Sequence, residues 1–311
     1  MKKINKLQII YKILFFSIFL SSFTLIYPMN VPALSVEKKK SYYKNYILKK
    51  GDKILLENQF GEIKITNWDK NEISVDVEII VKGKNELEAT NILNSIHIED
   101  SKTSNQVKFI TEVNKCIKNY ENMGSCKVQI NYDVKVPQDY QLSASNSYGG
   151  ILMEDYSGEL DLESKFGSII AGNLNNPKSI YIEFGKANIK SMNNGSIEAK
   201  YSSVDIQDVI NELKGVFDFC ENVDLKINPN AKNIYIDGSY SEIILMLDKK
   251  LKTDFLIESS FGNFKNSSNY SIILLKPEND FNHTKIYKSS PTLNSKNKIS
   301  VKNSFGKIYL K

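Results

Sequence analysis

Beyond about position 40 the chain is built from short runs in which apolar and polar residues alternate, separated by turn-forming residues. A period of two places every second side chain on one face of a strand, and the abundance of Ile, Val, Tyr and Phe in these runs favours strands over helices. One pattern recurs inside the runs: an aromatic residue, then a small one, with apolar residues three and five positions after the aromatic. Phe60-Gly61 leads to Ile63 and Ile65, Tyr148-Gly149 to Ile151 and Met153, and Phe166-Gly167 to Ile169 and Ala171. Phe184-Gly185, Tyr201-Ser202 and Tyr240-Ser241 repeat it, Phe261-Gly262 keeps Phe264, and Phe305-Gly306 leads to Ile308 and Leu310. From Tyr148 the successive aromatics are 18, 18 and 17 residues apart. Phe219-Cys220 falls 18 residues after Tyr201, with Cys220 in the small-residue slot. A further apolar residue sits eight positions after the aromatic at Trp68, Tyr156, Leu174, Met192 and Val209.

A unit this short cannot hide its own apolar face, so it must stack on its neighbours. Strands about 4.7–4.9 Å apart would place each Ile over its equivalent in the next unit. The prediction is an all-β solenoid, or β-helix, with coils of about 18–21 residues. An antiparallel meander or sandwich also yields short strands and frequent turns, but the constant offsets favour the solenoid. The recurring aromatics are expected to stack as an internal ladder. Gly or Ser after each suits a tight corner, where a side chain would crowd or φ would turn positive.

Asn85-Glu86-Leu87-Glu88 reads as a capping box opening one helix, with Ala89, Ile92, Leu93 and Ile96 on a common face. Residues 36–140 are thus expected to form an N-terminal α/β-capped part of the solenoid. Residues 141–311 are expected to hold the repeats, with Phe305–Leu310 closing the far end. The first 35 residues read as a signal peptide: Lys2, Lys3, Lys6 and Lys12 precede an apolar stretch of 14 residues, Ile13–Ile26. That length suits a signal core and is short of a membrane span, and Ala33-Leu34-Ser35 offers a cleavage site. Retention as an anchor is the alternative.

The formal charge of +5 changes meaning once this segment is set aside. Residues 1–35 carry four Lys and no acid, which leaves 37 basic and 36 acidic residues, a net of +1. All the basic residues are Lys and none is Arg, so bidentate phosphate or guanine recognition has no basis, and nucleic acid is excluded as a partner. Export also favours disulfides. Cys116 and Cys126 flank the tip of what reads as a hairpin between Val107–Val113 and Val128–Val136, and a bridge there would stabilise by about 2–3 kcal/mol. Cys220 is left with a structural role.

Catalytic groups are scarce. The two histidines, His97 and His283, have no partner in sequence, and no phosphate loop, nucleophile elbow or zinc spacing occurs, so no metal or cofactor is expected. Glu154-Asp155 is the nearest approach to the paired carboxylates of a polysaccharide-active β-helix enzyme. Tyr181 and Tyr235 alternate with apolar neighbours and should point outward.

Taken together, Glu57–Trp68 (ENQFGEIKITNW), Glu72–Ile79 (EISVDVEI), the helix, Ile130–Ile151 and the later units resemble a bacterial family of exported proteins known as putative adhesins, over residues 43–311. The resemblance implies a single-stranded right-handed β-helix acting at the cell envelope, in the periplasm or at the surface, and brings no catalytic residues. Phe219-Cys220 departs from it, since Gly or Ser is usual in that slot. The expectation is a non-enzymatic envelope protein, an adhesin-like binder or scaffold for an envelope protein or glycan. A polysaccharide-active enzyme and an envelope signalling or stress partner are the alternatives.

Overall fold

A computed structural model describes residues 36–113, 127–276, 283–289 and 297–311. The expected signal segment, Cys116 and Cys126 lie outside these residues. Among the described residues the chain is all-β, with 24 strands in one hydrogen-bonded sheet and a single helix, Glu86–Asn94. No described helix is long and apolar enough to cross a membrane.

The sheet nearly closes on itself around one continuous core, and two parallel ladders make up most of it. Strands that precede each aromatic form the first ladder: Lys53–Gln59, Gln141–Ser147, Tyr156–Lys165, the second half of Ser168–Glu183, Ser196–Lys200, Leu213–Asp218 and Asn233–Ser239. Strands that follow the aromatics form the second: Ile63–Asn67, Ile151–Met153, the first half of Ser168–Glu183, Lys186–Met192, Ser203–Val209, Asn222–Ile227 and Glu242–Leu247. Just after each aromatic the register is kept, so Ile63, Ile151, Ile169, Ala187, Val204, Val223 and Ile243 stand over one another and are almost wholly buried. Ile, Val and Leu at these positions suit a pleated, buried surface, and their columns form the core. Volume is matched between neighbours. A Cβ on Gly215 would lie 2.6 Å from the Phe217 ring, so the glycine leaves room for the largest side chain of that coil.

The N-terminal end is closed as the sequence suggests in part. Asn85 caps the helix by accepting a hydrogen bond at Oδ1 from Glu88 N (2.9 Å), and Glu88 accepts one from Lys84 N. Ala89 and Ile92 are buried against strands Val36–Ile47 and Glu72–Gly83. The expected hairpin, however, is absent. Gln106–Val113 lies parallel to Lys53–Gln59 in the first ladder, and Lys127–Val136 lies parallel to Ile63–Asn67 in the second. Their antiparallel partners are Ile96–Lys102 and Glu72–Gly83 respectively. Alternation fixes which face of a strand is buried but not the direction of its neighbour, and this misled the sequence reading.

The far end departs from chain order. Lys298–Ser304 is paired in parallel with Asn233–Ser239 on one side and with Asp254–Ser260 on the other. Lys307–Leu310 likewise separates Glu242–Leu247 from Asn263–Asn266. The last unit is therefore inserted between two earlier ones and does not close the end. Beyond Asp254–Ser260 the sheet finishes with two antiparallel strands, Thr284–Ser289 and Ile272–Lys276.

Candidate functional site

Where the chain passes from the first ladder to the second it turns at the recurring aromatic. Phe60, Tyr148, Phe166, Phe184, Tyr201, Phe219, Tyr240, Phe305 and Phe261 form, in that spatial order, a continuous stack with centroid spacings of 4.9–5.3 Å and interplanar angles of 1–9°. Rings this parallel and this far apart are offset-stacked. The stack is on the outside. Apart from the partly buried Phe60, every ring in it is 45–55% exposed. The expectation of an internal ladder is thus corrected: the aromatics stack, but as a surface ridge about 40 Å long, given strands about 4.8 Å apart.

The backbone explains the outward direction. All nine aromatics have φ between 50° and 65°, the left-handed region that bulky L-residues avoid. Each such residue costs about 1–2 kcal/mol. Two interactions offset this strain. Each aromatic N–H donates to a carbonyl of the next coil, as in Phe166 N to Glu183 O (2.9 Å) and Tyr201 N to Asp218 O (2.9 Å). Each ring also gains stacking worth about 0.5–1.5 kcal/mol per pair. The small residue that follows does not carry the positive φ, and its smallness has another cause. A Cβ on Gly149 would lie 1.7 Å from Gly61 O, on Gly167 1.9 Å from Gly149 O, and on Gly185 2.0 Å from Gly167 O.

Three coils accept a side chain in that slot by turning it inward. Ser202 Oγ donates to Lys200 O (2.7 Å) and accepts from Gly185 N (3.0 Å). Ser241 Oγ donates to Phe217 O (2.8 Å) and accepts from Cys220 N (3.0 Å). Cys220 Sγ lies 3.4 Å from Ala199 O and is wholly buried, and desolvation pushes its thiol pKa up. A protonated, enclosed thiol is a packing group.

Among the described residues, open concavities flank the repeating units. Tyr201, Phe219, Ser203, Glu221 and Asn222 line one of about 430 Å³ beside the ridge. A second, of about 580 Å³, lies where the coils turn out of the second ladder, and Asn173, Asn175, Gln207, Asp208 and Asn228 make it rich in amides. Asp155 accepts hydrogen bonds from Asn173 N (2.7 Å) and Nδ2 (2.8 Å), Ser191 Oγ donates to Asn173, and Asn228 donates to Asp208. The third, of about 510 Å³, lies in the N-terminal part, where Asp76 stands directly opposite Asp133 on the neighbouring strand.

The sequence-predicted chemical groups are dispersed. The hydrogen bonds from Asn173 hold the Asp155 carboxyl below its ordinary range, the wrong direction for a general acid. Glu154 accepts from the backbone N of Asn67 (3.0 Å). His97 is exposed on Ile96–Lys102, while His283 packs at an angle against Phe261. Tyr181 points outward between Lys165 and Lys200, and Tyr235 is exposed on the same ladder. The outward ridge and the amide-rich groove were both missed. The run of aromatics at constant spacing was the available signal for the first, and no fixed motif marks the second.

No family model matches the chain, and no curated protein does. Among solved structures, a putative adhesin from Bacteroides fragilis shares 12% identity over 88% of this chain and 98% of its own, with a TM-score of 0.43. A putative cell adhesion protein from Clostridium sporogenes shares 15% over 88% and 99%, with a TM-score of 0.28. A putative lipid binding protein from Parabacteroides distasonis shares 14% over 87% and 96%, with a TM-score of 0.36. Such low identities and TM-scores carry no argument about what this chain binds.

Proposed function

We propose that this is an exported, non-enzymatic protein of the cell envelope, an adhesin-like binder that docks a partner protein along its aromatic ridge. Its repeating units form a single-stranded right-handed solenoid whose stacking creates that ridge. The carrying observation is the stack of nine rings, eight of them half-exposed, a continuous apolar strip of a kind that monomers seldom leave in water without a use. The chemistry favours protein over sugar. Each ring face is occupied by the next ring, so the ridge offers ring edges, whereas a sugar stacks on a face. Ring edges and Tyr hydroxyls suit an apolar protein surface with a polar rim. The lowered Asp155 pKa and the structural use of Glu154 support the non-enzymatic reading.

A second reading, glycan binding, is favoured by the amide-rich groove, since Asn and Gln side chains donate and accept in the manner that hydroxyl-rich ligands require. The two are separable. A photoreactive phenylalanine at Phe184 should give one dominant protein adduct with envelope fractions, suppressed by excess unlabelled chain, while the same group at Tyr235 should not. Adducts of equal yield at both positions would remove the ridge reading. Glycan-array binding lost on Asn228→Ala would establish the second. Release of reducing ends from an envelope polysaccharide, abolished by Asp155→Asn, would overturn the non-enzymatic reading.

A further inference from the structure

The last unit of the chain occupies an internal slot. Ile299, Val301, Ile308 and Leu310 are buried in columns between Ile234, Ile236, Ile243 and Leu245 on one side and Phe255, Ile257, Phe264 and Asn266 on the other. Phe305 is stacked at 4.9 Å on both Tyr240 and Phe261. Buried Asn303 donates to Ser241 O (2.8 Å) and Lys307 O (3.2 Å). Backbone hydrogen bonds enter from both sides, with Tyr240 N donating to Ser304 O and Phe305 N donating to Ser260 O, each at 2.8 Å.

The host does not need this insert to keep its own coil lengths. Tyr240 and Phe261 are separated by 21 residues, as are Phe219 and Tyr240, whose coils are direct neighbours. The corners that flank the slot are also compatible with each other: a Cβ on Gly306 would lie 2.1 Å from Ser241 O, and Gly262 is a glycine too, so it can take the same place against Ser241.

We propose that the slot between Asn233–Leu247 and Asp254–Asn266 is a strand-acceptor site for the Lys298–Lys311 segment of a second copy of this chain. Exchange is reciprocal: each copy donates its last unit to the other, every contact of the slot is reproduced, and no new interface is required. The exchanged pair carries two ridges on one particle, which raises avidity for any partner that repeats. The slot is independent of any partner at the ridge, because strand pairing alone forms it.

Ser239 and Ser304 are paired neighbours at the slot and are only partly buried. The test uses the full exported chain with Cys116, Cys126 and Cys220 replaced by Ser. Chains bearing Ser239→Cys and chains bearing Ser304→Cys are purified separately, mixed without denaturant and then oxidised. The expected result is a covalent heterodimer that grows with protein concentration and forms faster than the slowest core amides exchange with deuterium. It should be lost entirely when both cysteines are first placed in one chain and closed into an internal disulfide. No heterodimer, or one that forms only at the rate of global opening, would overturn the proposal. Failure of the internal disulfide to close would overturn the pairing on which it depends.

Discussion

Each repeating unit changes direction at two corners, one on either side of its second-ladder strand, and the two solve the same problem differently. At the aromatic corner, successive backbones come so close that a Cβ on Gly167 would overlap Gly149 O, and the aromatic before it takes φ of 54°. At the amide corner, side chains bridge the coils: Asn173 to Asp155, Ser191 to Asn173, and Asn211 Nδ2 to Asn193 Oδ1 at 2.6 Å. One corner is held by backbone strain, stacking and excluded volume, the other by hydrogen bonds that several polar residues could make. The first should therefore be intolerant of substitution and the second forgiving.

The largest effect should come from Gly167→Ala. Its Cβ has no free path between rigid backbones, and destabilisation of more than about 3 kcal/mol is expected from the shift in urea midpoint at unchanged slope. A loss below about 1 kcal/mol would mean that the corner can open, erasing the contrast. Asn211→Ala at the amide corner should cost about 1 kcal/mol, the ordinary value of one side-chain hydrogen bond. A loss as large as that of Gly167→Ala would place both corners in one class.

The smallest effect is a pH dependence. Hydrogen bonds from Asn173 lower the folded pKa of Asp155. Its contribution to stability is therefore present above the unfolded value, near 3.9, and is lost as pH falls through the folded one. Asp155→Asn should remove that contribution at every pH above this range and flatten the profile within it, with no change of slope near neutrality. A change of slope near neutrality instead would contradict the assignment.

The contrast also explains what was legible in the sequence. Steric demands at the aromatic corner admit few residue types, so the motif stands out across nine coils. Its direction did not, because a residue at positive φ resets the alternation: parity counted through Phe166 or Tyr201 no longer tells inside from outside. Asn, Asp, Ser and Gln serve equally at the amide corner and shift by a residue or two, so no pattern marks it. Helix Glu86–Asn94 was readable because its cap is a local device. The place of Phe305 was not, since every unit presents the same edges and any unit can pair with any other. The direction of Lys127–Val136 was hidden for the same reason that alternation is silent about parallel and antiparallel neighbours.

The central claim is that the ridge residues hold a strained backbone which stacking sustains. Comparison of Phe184→Gly with Phe184→Ala tests it most directly, because both lose the rings of Phe166 and Tyr201 at 5.0 and 4.9 Å while only Gly relieves φ of 52°. Both variants should be less stable than the parent chain, with Gly above Ala by roughly 0.5–1 kcal/mol in urea denaturation, against the usual order of these residues. An Ala variant as stable as the Gly variant, or more so, would contradict the account.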